Sequence, residues 1–140
     1  MQNARELLLA YTGNINDPNK AAALFAADGA IELPYLDSIG LPSRVEGPAA
    51  IRELITGLLT VVPDFGFDHV EILIETPDQV FGEWSLERMT TTGRTFSQLY
   101  AGRLVAENGQ IKLLRESLDL VRAARAMLPE GLASIPPSRY

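Results

Sequence analysis

One carboxylic acid in the second half of the chain has surroundings that suit proton-transfer chemistry. Glu116 lies in a segment of alternating apolar and polar residues, and Asn108-Gly109 before it predicts a two-residue hairpin turn. A regular hairpin places Ala101 opposite Glu116 and puts both on one face of the sheet with Leu99. Exclusion of water there would raise the pKa of the carboxyl group and suit it to acid–base catalysis near neutral pH.

The same register supports a second interpretation of this acid. Arg103 lies diagonally across from Glu116, within reach of a long side chain. If the guanidinium pairs with the carboxylate, the pKa of Glu116 falls and the pair is structural. The residues alone leave both possibilities open: a pocket acid among the ligand-binding residues Leu99, Ala101 and Arg103, or a structural ion pair.

Five other side chains are candidates for a functional site. His69 and Asp37 are candidate catalytic residues, although a strand histidine and a loop aspartate more often have structural roles. Tyr11, Tyr35 and Trp84 are candidate ligand-binding residues, because each combines a large apolar ring with a polar group. The default interpretation of these three rings is a place in the hydrophobic core, or for Trp84 in the core or the pocket wall.

Composition excludes several classes of partner and site. The chain has 140 residues and a net charge of −6, so it would repel a nucleic acid on average. Cysteine is absent and histidine occurs once, which argues against disulfides, a thiol nucleophile and a zinc site. We therefore expect no metal and no cofactor. The sequence has neither a signal-peptide pattern nor an apolar run long enough to span a membrane, so we expect a cytoplasmic location and no membrane partner.

The elements that must position these residues are helices in the first half and strands in the second. This segregation predicts an α+β fold with an antiparallel sheet. We expect one domain over residues 1–128 and an extended tail over 129–140, where Pro136-Pro137 disfavours regular structure. Helical spacing or caps predict helices over 4–12, 18–27, 48–62 and 120–128, and alternation or turns predict strands over 30–33, 67–74, 79–88, 95–106 and 111–118.

The order of these elements and several short segments resemble the nuclear transport factor 2-like superfamily. The resemblance is to SnoaL-like and ketosteroid-isomerase-like members, and most of all to the phenazine-biosynthesis A/B-like branch. It covers residues 4–128, and the segments that carry it are Ala23–Ala30, Glu46–Arg52, Pro63–Phe65, Pro77–Glu83, Thr92–Arg94, Glu107–Ile111 and Arg115–Asp119.

The resemblance implies a cone-shaped half-barrel, in which three helices cover the concave face of the sheet and enclose a pocket. It also implies a homodimer, which we expect to form through the outer sheet face at Tyr100, Leu104 and Leu113. In the phenazine-like branch the Glu of the Arg-Glu motif is a pocket acid, and the matching residue here is Glu116.

The chain departs from the steroid isomerases at their catalytic positions. The resemblance places Leu33, Ala101 and Leu9 where those enzymes have two acids and a tyrosine. Fold alone does not fix function. We therefore expect a pocket for a small apolar or aromatic molecule, with isomerase, cyclase or condensation chemistry at Glu116. The alternative is a non-catalytic ligand-binding or dimerisation domain.

Overall fold

The computed structural model describes residues 1–138 as an α+β fold built on a six-stranded curved sheet. The sheet order is β2-β1-β6-β5-β4-β3. Neighbouring strands are antiparallel except β1 and β6, which run parallel. The strands are β1 (Phe25–Glu32), β2 (Arg44–Glu46), β3 (His69–Glu75), β4 (Gln79–Met89), β5 (Thr95–Glu107) and β6 (Gln110–Ser117).

Helices cover one face of this sheet, which we call the inner face. They are α1 (Ala4–Gly13), α2 (Pro18–Ala22), α3 (Pro48–Val61) and α4 (Leu120–Met127), together with 3-10 helices at Pro34–Ile39 and Gly131–Ser134. Local sequence explains where they begin. Asn3 and Glu6 form a capping box at α1, and the side chains of Asp17 and Asp119 accept backbone N–H bonds at α2 and α4. The four predicted helix starts are thus confirmed.

Two predicted boundaries are wrong. Helix α2 ends at Ala22 rather than near Asp28, and β1 begins at Phe25 rather than Ala30. The cause is non-local, since the Ile111 N–H donates to the carbonyl oxygen of Leu24 and draws this segment into the sheet beside β6. In the predicted tail, Gly131–Ser134 forms a turn of 3-10 helix, and residues 139–140 lie outside the described residues.

The hairpin register carries the correction that matters most for function. Asn108 and Gly109 both have positive φ, as the predicted turn requires, and Glu107 faces Gln110. Val105 then pairs with Leu113 while Ala106 pairs with Ile111, so Lys112 is an extra residue in β6. This β-bulge shifts every later pair by one position and exchanges the faces of β5 relative to β6.

As a result Glu116 lies opposite Gly102, not Ala101, and its neighbours on the inner face are different from those predicted. Tyr100 and Leu104 are buried on that inner face, so they cannot form the outer dimer surface that we expected. The dimer itself stays a prediction. The large apolar side chains that the outer face of β4 and β5 does expose are Phe81, Met89 and Leu99.

Candidate functional site

A cavity of about 430 Å³ lies between the inner face of the sheet and the helices. This volume is typical of sites for small molecules. Among the described residues that line it, the polar side chains are those of Tyr11, Glu53, Tyr100 and Glu116. The rest of the wall is apolar, with aromatic rings on one side and leucine, isoleucine and valine side chains from β1, α3 and the loop after the first 3-10 helix on the other.

The cavity has a buried floor and an open mouth. Glu116, Tyr11 and Tyr100 are 4%, 4% and 6% exposed, and they form the polar part of the floor. Glu53 and Gly57 are exposed lining residues on α3, and they mark the mouth. A ligand would therefore enter along α3 and reach Glu116 last.

Glu116 is a carboxyl group held in place by one neutral donor. Trp84 Nε1 donates a hydrogen bond to Glu116 Oε2 at 2.8 Å. Glu116 Oε1 has no hydrogen-bond partner among residues 1–138, and no polar side-chain atom there is both fully enclosed and unpaired. Oε1 therefore faces the open space of the cavity, where a ligand atom could meet it.

Burial raises the pKa of Glu116 to about 7, although the hydrogen bond from Trp84 favours the carboxylate and lowers it. Desolvation is the larger effect because the floor is apolar. At neutral pH the protonated and ionised forms are then both populated. That is the state in which a side chain can accept or donate a proton with little energetic cost.

A glycine on the neighbouring strand makes the contact between Trp84 and Glu116 possible. Gly102 lies opposite Glu116, and a Cβ atom at this position would lie 2.6 Å from Trp84 Cη2 and 2.8 Å from Cζ2. The indole ring thus lies over the bare backbone of Gly102 and reaches the next strand. A larger residue at 102 would occupy the space that the ring needs.

The two tyrosines of the floor are hydrogen-bond donors. Burial and the nearby charge of Glu116 raise the pKa of both Tyr11 and Tyr100 above the ordinary value, so both hydroxyls stay protonated at neutral pH. Neither hydroxyl has a hydrogen-bond partner in the described part of the chain. Both hydroxyls are therefore available to a ligand atom in the cavity.

Edge-to-face aromatic contacts build one wall. The ring of Phe67 packs at 5.7 Å from Tyr100 and at 5.4 Å from Phe65, both nearly perpendicular, and Phe65 lies 6.3 Å from Phe96. Such contacts fix ring positions and favour planar, apolar ligands. Phe65 and Phe67 come from the loop that joins α3 to β3, which connects this wall to the mouth.

Three of the nine predicted site residues belong to this site. Glu116 and Tyr11 line the cavity floor. Trp84 is fully buried and supports Glu116 from behind, which satisfies the N–H group that a buried tryptophan has to pair.

The first 3-10 helix and the edge strand carry three predicted residues that the structure places elsewhere. Tyr35 is 56% exposed, Asp37 is exposed on the same 3-10 helix, and His69 is exposed at the start of β3. None of the three lines the cavity. Their functional roles stay predictions without support from the geometry of the cavity.

The remaining three predicted residues lie on the wrong side of the sheet because of the bulge at Lys112. Leu99 is 55% exposed, and Ala101 and Arg103 share its outer face. Arg103 pairs across the sheet with Arg115 and donates to Gln79 Oε1 at 3.2 Å. The interpretation of Arg103 and Glu116 as a structural ion pair is therefore wrong.

Sequence reasoning missed most of the aromatic wall and missed Gly102 on β5, which leaves room for Trp84 to reach Glu116. Tyr100, Phe96 and Gly102 alternate along β5, and this alternation was visible in the sequence. Alternation alone does not show which face turns inward. The glycine two residues after Tyr100, on the strand next to Trp84, could have shown it, since a bulky ring needs a small neighbour.

Comparison with known families identifies the chain. The family model for the SnoaL-like domain matches residues 8–114. The chain belongs to the SnoaL-like family. The match ends just before Glu116, so this residue's role rests on the geometry above. A comparison with curated protein sequences finds no significant match.

Solved structures support the SnoaL-like fold. A candidate isomerase from Bacillus subtilis is 22% identical with a TM-score of 0.78, over 88% of this chain and 91% of that one. The phenazine-biosynthesis-related protein PhzB2 from Pseudomonas aeruginosa is 20% identical with a TM-score of 0.74, over 98% and 88%. A candidate polyketide cyclase from Xanthomonas campestris is 19% identical with a TM-score of 0.71, over 84% and 90%. At identities this low, the structural similarity shows the shared fold and nothing about function.

The arrangement of side chains and helices also bears on metal binding and on membrane crossing. Among residues 1–138, no group of three or more His, Asp or Glu side chains is arranged to hold a metal ion. Within the same residues, no helix combines the length and the apolar character that crossing a membrane requires.

Proposed function

We propose that this SnoaL-like protein is an isomerase- or cyclase-type enzyme that uses Glu116 to move a proton on a small apolar or aromatic carbonyl compound. One observation carries the proposal: the carboxyl group of Glu116 lies at the floor of an apolar cavity, held through Oε2 by Trp84 and facing open space through Oε1. A fixed acid with one free oxygen is the minimum equipment for proton transfer.

The chemistry needs only groups that the floor supplies. Glu116 in its carboxylate form takes a proton from the carbon beside a carbonyl, and the C–H electron pair becomes the C=C bond of an enolate while the carbonyl π pair moves to oxygen. Tyr11 and Tyr100 can donate hydrogen bonds to that oxygen. Where the substrate carries a C=C bond next to the deprotonated carbon, the enolate is a dienolate, and its terminal carbon takes the proton back from Glu116 while the carbonyl re-forms and the C=C bond moves into conjugation, which completes an isomerisation.

Ring closure follows from the same enolate. Its carbon attacks a second carbonyl of the same molecule, a C–C bond forms, and the resulting alkoxide takes the proton back from Glu116. The carboxylate is regenerated in both cases, so neither reaction requires a further reactant. The shape of the substrate in the cavity would decide between the two outcomes.

The comparisons support this class of reaction without naming the substrate. Structural neighbours include a phenazine-biosynthesis-related protein, a candidate isomerase and candidate polyketide cyclases. These proteins share the fold with this chain at low identity. Isomerisation and cyclisation are both reactions that a proton-transferring acid in an apolar cavity could serve.

Hydrogen–deuterium exchange tests the proposal without knowledge of the natural substrate. 2-Tetralone is a bicyclic apolar ketone with acidic protons beside its carbonyl, and NMR follows their exchange in heavy water. We expect the protein to accelerate this exchange and Glu116→Gln to reduce the acceleration by about a hundredfold or more. Glu53→Gln, which removes the exposed acid at the mouth, is the matched control and should keep the activity. Full acceleration by Glu116→Gln would disprove the proposal.

One observation favours a second candidate function, ligand binding without turnover. Leu33 lines the cavity at the position where the resemblance to steroid isomerases expects a catalytic acid, so the described residues supply the cavity with a single buried carboxyl group. A binding protein of this kind would retain 2-tetralone but leave its exchange at the rate in buffer. The same experiment, combined with a binding measurement, distinguishes the two functions.

A further inference from the structure

We infer that the cavity selects by charge: among apolar carbonyl compounds it takes uncharged ones and rejects those that carry a carboxylate or an ammonium group. The inference deepens the proposed function, because it concerns the same cavity. It rests on which charges line that cavity. Among residues 1–138 no Lys, Arg or His lines it, and the lining residues that can carry a charge, Glu53 and Glu116, are both acids.

The basic residues closest in sequence to the lining are held elsewhere. Arg52, beside Glu53 on α3, lines a surface groove that shares Glu53 and Gly57 with the mouth, but Arg52 does not line the cavity itself. Arg115, beside Glu116, pairs with Glu32, and Arg122, beside Ala123, pairs with Asp119. Arg94 donates to the backbone oxygens at the end of α4. An anionic ligand in the cavity would lose its water, meet no positive charge and lie beside Glu116.

A cationic ligand meets a different obstacle. Glu116 is the buried group that could neutralise it, and Oε2 of Glu116 already accepts the hydrogen bond from Trp84. The surrounding wall is apolar and burial already favours the protonated form of Glu116, so an ammonium group would lose its hydration and Glu116 would also have to release its proton before the two could pair. Glu53 is exposed to solvent at the mouth, where screening weakens its attraction.

A neutral oxygen acceptor fits the floor better than either charge. Tyr11 and Tyr100 present hydroxyl groups without a partner among the described residues, and protonated Glu116 offers a third O–H donor through Oε1. A ketone or quinone oxygen accepts two such bonds and needs no counter-charge. The perpendicular rings of Phe67 and Tyr100 leave flat apolar surface for the attached ring system.

Three naphthalenes that differ in one substituent test the inference: 2-acetylnaphthalene, 2-naphthoate and 2-(aminomethyl)naphthalene, which are neutral, anionic and cationic. Equilibrium dialysis at about pH 6 measures their dissociation constants under conditions where Glu116 is mostly protonated. We expect the neutral ketone to bind about tenfold or more tightly than either charged compound. Binding of the carboxylate or the amine as tight as that of the ketone would overturn the inference.

A gain of charge at one lining position tests the cause. Met127 is partly buried, lines the cavity and ends α4, where the helix dipole favours a cation. Met127→Lys should bind 2-naphthoate about tenfold more tightly than Met127→Gln, which is of similar size and uncharged. Equal effects of the two variants would show that charge is not the cause and would overturn the inference.

The two proposals fail in different ways. A neutral ligand preferred without any acceleration of 2-tetralone exchange would remove the proposed catalysis and leave the ligand selectivity intact. Exchange of 2-tetralone that depends on Glu116, together with tight binding of 2-naphthoate, would support the proposed catalysis and overturn the ligand selectivity. Binding of none of the three naphthalenes would overturn both, because each requires an apolar ligand in this cavity.

Discussion

Trp84 and Glu116 lie on strands that are not neighbours, and the indole of Trp84 reaches the Glu116 carboxyl group across the bare backbone of Gly102. The hydrogen bond between them measures 2.8 Å, and it involves Oε2 only. This geometry fixes the carboxyl plane and leaves Oε1 directed at the cavity. The arrangement depends on three strands at once, so it belongs to the sheet and not to a local motif.

Removal of the Trp84 N–H should raise the pKa of Glu116 above its present value of about 7, because that hydrogen bond favours the carboxylate. A hydrogen bond to a charged group contributes about 1.5–3 kcal/mol, which corresponds to about one pH unit or more. Trp84→Phe should therefore move the pH dependence of 2-tetralone exchange to higher pH. A ¹³C-NMR titration of the Glu116 carboxyl group measures the same change directly.

Trp84→Phe also removes ring volume from the core, so a shape-matched control is needed. Trp84 is the only tryptophan in the chain, and expression in a tryptophan auxotroph can replace it by β-(3-benzothienyl)alanine, in which sulfur takes the place of the N–H. A raised pKa in this analogue as well would assign the effect to the hydrogen bond. An unchanged pKa in both variants would show that Trp84 does not stabilise the carboxylate.

Gly102→Ala should disturb Glu116 without touching it. The new Cβ would lie 2.6 Å from Trp84 Cη2 and 3.0 Å from the Arg115 carbonyl oxygen, so the indole must move. We expect a loss of about 1–3 kcal/mol in the free energy of unfolding and a rise in the pKa of Glu116 as in Trp84→Phe. Gly13→Ala, where a Cβ meets nothing within 4 Å, is the control and should not destabilise the protein. Urea denaturation compares the two.

The sequence predicted the parts of this fold that depend on neighbouring residues. Helix α3 shows a regular apolar spacing from Ile51 to Val62, the aspartates at 17 and 119 are local caps, and Asn108-Gly109 makes a turn that needs positive φ. Each of these features follows from the chemistry of a few adjacent residues. The SnoaL-like resemblance followed from their order.

The composition of the site depended on a feature without a local signal. Lys112 is an ordinary strand residue, and its extra position in β6 coincides with a register shift on the β1 side, where Phe25 pairs with Ile111 and Ala30 with Leu113. One inserted residue was enough to exchange Leu99, Ala101 and Arg103 for Tyr100 and Gly102 on the inner face. Two interpretations of Glu116 were open from the sequence, and its position in the cavity lining agrees with the pocket one, because its own strand alternates regularly after the bulge, whatever β5 presents opposite it.

Glu116→Gln should make the protein less sensitive to alkaline pH. The folded-state pKa of about 7 is above the ordinary value of 4.5, so the folded state binds the extra proton and stability falls as pH rises from about 4.5 through 7. The full loss above that range is about 3 kcal/mol. A glutamine cannot ionise, so this part of the pH dependence should vanish in the variant.

Urea denaturation at about pH 5 and about pH 8.5 measures this effect as the difference between wild type and Glu116→Gln. Other ionisable groups are common to both proteins and cancel in the comparison. The carboxylates whose pKa is lowered, Asp28 beside Lys112 and Asp68 beside Arg88, titrate at more acidic pH and lie outside this window. An identical pH dependence in the two proteins would mean that Glu116 is ionised without penalty in the folded state.

Gly57 should control entry to the cavity, because it lies at the mouth on α3 and a Cβ there would meet nothing within 4 Å. Gly57→Ala removes a glycine from a helix interior and should stabilise the protein by about 1 kcal/mol without closing the mouth.

Gly57→Phe should slow both association and dissociation of 2-acetylnaphthalene and leave its dissociation constant nearly unchanged, because a side chain at the mouth obstructs the route and not the floor. Stopped-flow fluorescence of Trp84 gives both rates. Thr56→Phe is the matched control, because Thr56 lines the same outer groove as Gly57 but does not line the cavity, and rates in Gly57→Phe equal to those of this control would place the entrance elsewhere.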